Sequence, residues 1–309
     1  MRNLIRIHCK RFLFRWETFA VTMLNLLLTV ICFLAASFLY ESGSIRNNEF
    51  SSIMRVTTII SIAFTLTAVV FIEINTLATG AIRNPLIAGY SKTQIFLSKF
   101  IAVGVFSIVQ GALFLIPTMV ANKWIDRPVQ YVVSMLLVYV AVSCIAMTVC
   151  LLSDRPTIYV VVCIGCLIGL MFGGRMIAAN LSRSRYSYIG IEQGTLVTEE
   201  NMWYVSSPKR GILEQCIRFN PVQPIEDYCV WYFDNMNSIR FSMDNMMKQA
   251  EEATQSEVEI EQAQLILEEI EDKYLIYTTR MELFPIYQTA FLLLLAGGGA
   301  VIFRKRNLK

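Results

Sequence analysis

Histidine is almost missing from this sequence: His8 is the only one in 309 residues. A His-based triad, an HExxH helix or a multi-histidine metal site therefore cannot be assembled. No GxxxxGK[ST] stretch occurs, so the chain has no phosphate-cradling loop of its own. These gaps leave no catalytic residue and no metal-ligand set to name, and energised work would have to draw on a partner chain. Charge is scarce too. Charged residues make up 17% of the chain, against about 25% in soluble domains. The basic residues flank apolar runs and form no separate basic domain, which argues against a nucleic-acid partner. The basic start leads into an apolar run too long for a signal core, with no clear small-residue cleavage site, so no cleavable signal peptide is expected.

What the chain has in quantity is apolar sequence. Hydrophobic residues are 55% of the total and the mean hydropathy is +0.51. A helix needs roughly 20 mostly apolar residues to cross a bilayer. Six runs qualify, at about 18–40, 56–78, 100–121, 131–152, 157–174 and 284–303. The expected fold class is an all-α membrane protein with six transmembrane helices. It adds an N-terminal interfacial helix and a mainly helical extracellular insertion between spans five and six. In domain terms, 1–17 is the N-terminal helix and 18–178 holds spans one to five with a segment at 80–99. The outer region is 179–283, with a long helix at about 242–283, and 284–309 carries span six and a basic tail.

Lys and Arg in the flanks set the orientation. Thirteen of them, from Arg2 through Arg83, Lys92, Lys99 and Arg155 to Lys309, fall on the side of the termini, and four (Arg46, Arg55, Lys123, Arg127) fall in the two short opposite loops. Both termini and the 80–99 segment are therefore expected in the cytoplasm of a multi-pass plasma-membrane protein. The net charge of +3 hides an imbalance, because 179–283 carries 9 basic and 18 acidic residues, a net of −9. Of eight cysteines, Cys216 and Cys229 alone lie in the outer loop. They are candidates for a disulfide in an oxidising compartment. Cys163 and Cys166 form a CxxC inside an apolar run, where cysteine packs as a small hydrophobe.

Several local patterns stand out. In the N-terminal stretch Ile5, Cys9, Phe12 and Trp16 share a helical stripe, while Leu4, Ile7 and Phe14 fall opposite. This fits an interfacial helix on the inner leaflet, or a cytoplasmic extension of span one. Glu73 lies inside span two, seven residues before Gly80 and so about 10 Å of helix from the inner end. An intramembrane carboxylate is costly and a functional candidate. Its open roles are bracing the helix end by an ion pair, facing the bundle, or reaching the interface. Span five carries Gly165, Gly169 and Gly173, a small-residue ridge that could serve packing within the subunit or between two subunits, with packing inside one bundle the safer expectation. Gly297 to Gly299 in span six offer a similar close approach. The stretch RFNPVQPIEDYCVWYF, from Arg218, reads as a short interfacial helix with a loop against the outer leaflet. Ala263, Leu267, Ile270, Tyr274, Tyr277, Met281 and Phe284 repeat at alternating spacings of 4 and 3, a heptad-like seam on a helix running toward span six. Pro285 marks that junction.

The stretch from Gly80 to Phe100 is GAIRNPLIAGYSKTQIFLSKF. Its glycine, Ile-Arg-Asn, apolar pair, Gly-x-Ser-basic and final Ser-Lys resemble a segment in the permease subunits of second-type ATP-binding-cassette exporters, Gram-positive bacterial type. The tail VIFRKRNLK, the six spans, the basic N-terminal helix and the outer region before the last span are similar to that family's layout. The outer region is larger than in many members. The resemblance implies that the segment is a coupling helix docking on a separate ATPase subunit, with Arg83, Asn84, Gly89, Tyr90, Ser91 and Lys92 as contact residues. It further implies a working unit of two permeases, the second a copy or a related chain, and two ATPases. ATP and Mg would be held by the ATPases, with no cofactor in this chain. The segment's cations can meet an acidic surface, and Ile87, Tyr90 and Phe96 offer apolar anchors. Glu73 would relay movement or brace the helix end.

Two functional classes follow. One is an exporter subunit, not itself an enzyme, that moves an amphiphilic substrate such as an antimicrobial peptide, a drug or a lipid-like molecule. The other is a non-transporting sensor or immunity protein whose acidic outer region captures a cationic peptide. A proton-coupled carrier is weaker, because Glu73 is the only clear intramembrane acid and the spans do not form matching halves with broken helices. No residue is assigned to substrate.

Overall fold

Long apolar runs leave the backbone one solution in lipid, the helix, because every N–H and C=O must be bonded internally. The computed structural model of the chain describes residues 1–44, 47–121, 128–152, 156–183, 186–192, 195–228 and 257–305. Among these, six helices are long and apolar enough to cross a membrane, over Trp16–Glu41, Ser52–Ala78, Lys92–Met119, Val129–Leu152, Val161–Leu181 and Thr279–Lys305. The protein is an all-α membrane protein, and each span overlaps an apolar run, although the third begins at Lys92, eight residues earlier than expected, and the fifth ends at Leu181, seven residues later.

The elements in order are α1 (Arg2–Leu13), α2 (Trp16–Glu41), α3 (Asn47–Ala78), α4 (Arg83–Ile87), α5 (Lys92–Ala121), α6 (Pro128–Leu152) and α7 (Pro156–Leu181). Strands β1 (Tyr186–Glu192) and β2 (Thr195–Glu200) follow, then α8 (Lys209–Phe219), α9 (Gln223–Glu226) and α10 (Glu257–Lys305). α6 is the centre, packed on α3, α5 and α10, with α2 against α3 and α5. Two-thirds of the most apolar stretch of α6 is buried, against about a tenth for α7, which lies at the edge. Lipid tails are as apolar as leucine, so small residues and polar links select the contacts. Gly111 lets Tyr139 and Leu136 of α6 approach α5. The Tyr139 hydroxyl donates to Ser61 Oγ at 2.6 Å, tying α6 to α3. Gln110 of α5 donates to Thr22 of α2. Most buried threonines satisfy their hydroxyls on a carbonyl four residues back, as Thr58 does on Met54 and Thr148 on Cys144.

Several expectations are corrected. α1 is a separate helix that packs on α5 through Leu4, His8 and Phe12, with the Phe12 and Phe106 rings 5.8 Å apart. The buried stripe is thus turned toward Leu4 and His8, and Trp16 is exposed. Gly165, Gly169 and Gly173 face open space and make no contact in the bundle. Gly174 is the packed glycine, since a Cβ there would lie 2.5 Å from both Asn220 Nδ2 and Gln223 Oε1. Likewise Gly299, and not its two neighbours, backs onto Phe96. The insertion after α7 also carries an antiparallel hairpin of β1 and β2, with Tyr186 opposite Glu200 and Glu192 opposite Thr195, which a mainly helical insertion leaves room for.

The described part of the proline-rich stretch, Arg218–Tyr228, is not an interfacial helix and loop but is packed against the spans, and 229–233 lie outside the described residues. Arg210 Nη2 donates to the Leu181 carbonyl at 2.9 Å, and Asn220 Nδ2 donates to the Leu170 carbonyl at 2.8 Å. α8 therefore descends antiparallel to α7 over eleven residues of each helix, about 16 Å. The chain turns at Asn220, and Val222, Ile225 and Tyr228 are buried. Tyr228 meets Tyr131 of α6 edge to face at 5.3 Å. Several polar groups that suggest a loop have partners here: Asn220 on the Leu170 carbonyl, Gln223 Nε2 on Asp227, and Glu226 with Arg175. α10 is one 49-residue helix running straight through Pro285. The first part of the expected long helix, 242–256, and Cys229 of the disulfide candidate lie outside the described residues; Cys216 is exposed.

Candidate functional site

The loop between α3 and α5 is a short, rigid knob. α3 ends because Gly80 takes a φ of +63°. Gly80 N–H bonds the Leu77 carbonyl at 3.1 Å and Ala81 N–H the Thr76 carbonyl at 3.2 Å, the paired bonds of a glycine-terminated helix. α4 then makes little more than one turn and ends the same way. Gly89 has a φ of +84°, its N–H bonds Leu86, and Tyr90 N–H bonds Pro85, both at 3.0 Å. α5 starts with a reciprocal cap in which Gln94 N–H donates to Ser91 Oγ at 3.2 Å and Ser91 N–H donates to Gln94 Oε1 at 3.0 Å.

The site residues divide by what they touch. Arg83, Asn84, Gly89 and Ser91 are exposed on α4 and its flanks, Tyr90 and Lys92 are half-buried, and Ile87 is 84% exposed. Ser91 has a local duty as the cap, a signal present in the sequence as Ser-x-x-Gln. The Lys92 ammonium reaches the Arg304 carbonyl at 3.5 Å, joining the knob to the end of α10. Phe96 is not an anchor for a partner, because it is fully buried between Phe100, Phe303 and Gly299.

Beneath the knob, Glu73 of α3 is paired with Lys99 of α5, and both side chains are 1% exposed. Lys99 Nζ donates to Glu73 Oε2, while Oε1 has no partner among the described residues. The pair joins the helices on either side of α4 at the base of the loop. His8 of α1 is buried nearby. Burial, with the Lys99 and Arg11 charges, pushes its pKa down to about 4, so the ring is neutral. Burial also pushes the Arg11 guanidinium down and the Cys9 thiol up. Three elements thus meet at one ion pair with a neutral ring beside it. Lys99 counts in the sequence only as a flanking charge; its place at the start of a span, 26 residues from Glu73, gives no sign that it turns inward.

A second charged cluster lies at the opposite, distal end. Glu226 accepts from Arg175 and Arg55, and Arg280 bridges Glu214 at 2.9 Å and Asp227 at 3.7 Å. Burial pushes the Asp227 carboxyl up to about 6, against the opposing pull of Arg280. These residues fall in the loop-like stretch and in span flanks, so the sequence does not bring them together. Cys163 is buried and Cys166 exposed, and both line one small apolar cavity of α7 against Leu66 of α3 and Val142 of α6. No protein-family model, curated protein or solved structure matches the chain.

Proposed function

We propose that the chain is the membrane-spanning subunit of an ATP-driven exporter, with α4 as its contact to a separate ATPase. The observation that carries this reading is the geometry of the 80–99 segment. An exposed turn bearing Arg83, Asn84 and Ile87 is fixed by two left-handed glycines and seated on a buried ion pair. A flexible lipid-facing loop has no need of such fixation, whereas a part that receives a push does. On this reading the end holding the termini is cytoplasmic, two permease copies or related chains form the path, and an amphiphilic substrate crosses the plasma membrane between them.

Copurification from the native membrane tests the reading. The chain should bring down an ATPase, and combined Arg83→Ala, Gly89→Ala and Lys92→Ala should release it. Retention of ATPase and export by a folded triple variant defeats the proposal. The acidic outer region, at −9, favours a second reading in which the protein captures a cationic peptide without transport. Protection that persists when ATP hydrolysis is abolished would select it. The Glu73–Lys99 pair favours a brace over a proton-coupling carboxylate, because the acid already has its cation.

A further inference from the structure

The distal cluster has no part in that reading. Glu226 takes Arg175 Nε at 2.8 Å and Nη2 at 3.3 Å, and Arg55 Nη1 at 3.3 Å. Two guanidiniums from different spans therefore share one carboxylate, an excess of one positive charge. Among the described residues Glu226 is the only anion that either arginine meets. The neighbouring acids are engaged, Glu214 by Arg280 and Arg218, and Asp227 by Arg280. The Glu226 side chain is 11% exposed, but Arg175 is 45% and Arg55 25% exposed. Both forks thus keep N–H groups that the carboxylate does not use, on side chains open to the surface.

Depth gives those groups a chemistry. Arg175 lies six residues before Leu181, where the apolar run of α7 ends, which is about 9 Å along the helix. Phe172 and Met176 beside it are exposed and lie on the edge helix of the bundle. A guanidinium against lipid is costly unless an anion meets it, and its stem is long enough to reach headgroup level. Its fork matches two phosphate oxygens.

We propose that Arg55 and Arg175 form a binding site, in the leaflet at the distal end, for the phosphate-bearing headgroup of an amphiphile. Phosphate oxygens take the spare N–H groups of both arginines. The apolar tail lies along Phe172 and Met176, and Glu226 fixes the two forks while competing with the ligand. The positive excess rejects a cationic amphiphile. This site rests on membrane placement and geometry and needs no ATPase.

The test titrates the purified full chain in detergent with dioleoylphosphatidic acid and with dioleoylglycerol, which has the same tails and no anion, read by native mass spectrometry. The wild type should retain the phosphatidic acid and not the diacylglycerol. R175Q should weaken that retention by about tenfold or more, the loss of charge-assisted bonds. R175K, which keeps the charge and loses the fork, should fall between. E226Q removes the competitor and should bind more tightly, whereas a merely structural role makes R175Q and E226Q weaken binding alike. Inorganic phosphate at millimolar level then separates the sources. Displacement of the lipid supports a site that takes the free anion too, and no displacement supports one that needs the tail. Equal retention of the two lipids by the wild type overturns the proposal. So does an unchanged phosphatidic acid affinity in folded R55Q and R175Q. If R175Q does not fold, R55Q and E226Q decide by moving in opposite directions.

Discussion

Glu73 and Lys99 show how one pair governs a membrane helix junction. An ion pair that is 1% exposed on each side gains little over an apolar pair but is costly to break, because the remaining charge is left buried alone. Lys99→Met should therefore destabilise the purified chain by about 3–5 kcal/mol in a detergent unfolding titration. Combining it with Glu73→Gln should recover much of that loss; a double variant no better than the single one would refute the pairing. Gly174 poses a matched test. A methyl added there meets Asn220 and Gln223, whereas one added at Gly173 meets nothing. Gly174→Ala should cost about 1–3 kcal/mol by overpacking, and Gly173→Ala less than about 0.5 kcal/mol. Glu73 is legible in the sequence because a lone acid in an apolar run is conspicuous. The role of Gly174 is not, since its partners arrive from a stretch nearly fifty residues away that reads as a loop.

At the scale of elements, α4 and α1 are placed by different forces. α4 is positioned by turn chemistry: two positive-φ glycines and the Ser91–Gln94 cap. Ser91→Ala should speed hydrogen exchange in the first turn of α5, a loss of about 1 kcal/mol. Arg83→Ala should leave exchange there unchanged and affect only partner binding. α1 is positioned by burial on α5, which holds His8 neutral with a pKa of about 4 against 6.5 when released. The unfolded state thus binds more protons between these values. Stability of the docked helix is full above pH 6.5 and falls as the pH drops toward 4, on the order of 3 kcal/mol in total. His8→Gln should flatten that slope when exchange of α1 is followed against pH. The existence of α1 is legible from its amphipathic pattern, but its rotation is not. The stripe of Ile5, Cys9, Phe12 and Trp16 is the more apolar on paper, yet Leu4, His8 and Phe12 are the residues buried, with Phe12 against the Phe106 ring of α5.

For the whole molecule, run length fixes the number of spans and their centres, since a bilayer demands only length and apolarity, but it misses the start of the third by eight residues and the end of the fifth by seven, where Lys92, Lys99 and Arg175 are carried within the helices. Neighbour relations stay hidden, because uniformly apolar helices such as α6 and α7 do not announce which face meets protein and which meets lipid. The re-entry of α8 and α9 is hidden for the opposite reason, as its prolines and charges imitate a surface loop. Topology can be checked directly. Single cysteines placed at Asn84 and at Lys305 in a cysteine-free chain should react with an impermeant reagent only after the cytoplasmic face is opened, and one at Met202 should react from outside. Labelling of Asn84 in intact cells would reverse the orientation. α10 has a mechanical meaning beyond crossing the bilayer. At 49 residues it is about 73 Å long, more than twice the roughly 30 Å hydrocarbon core. Only its Thr279–Lys305 part is the membrane span, and Pro285 lies inside that part. One end lies under the Lys92 ammonium, and the other projects far beyond the distal surface. Measured from Leu292, midway along the Thr279–Lys305 span, the distal arm is about 52 Å and the inner arm about 20 Å, so a tilt of about ten degrees carries the distal end through about 9 Å. On the proposed reading, a push on the short basic turn that tilts α10 would be larger at its distal end than at the turn.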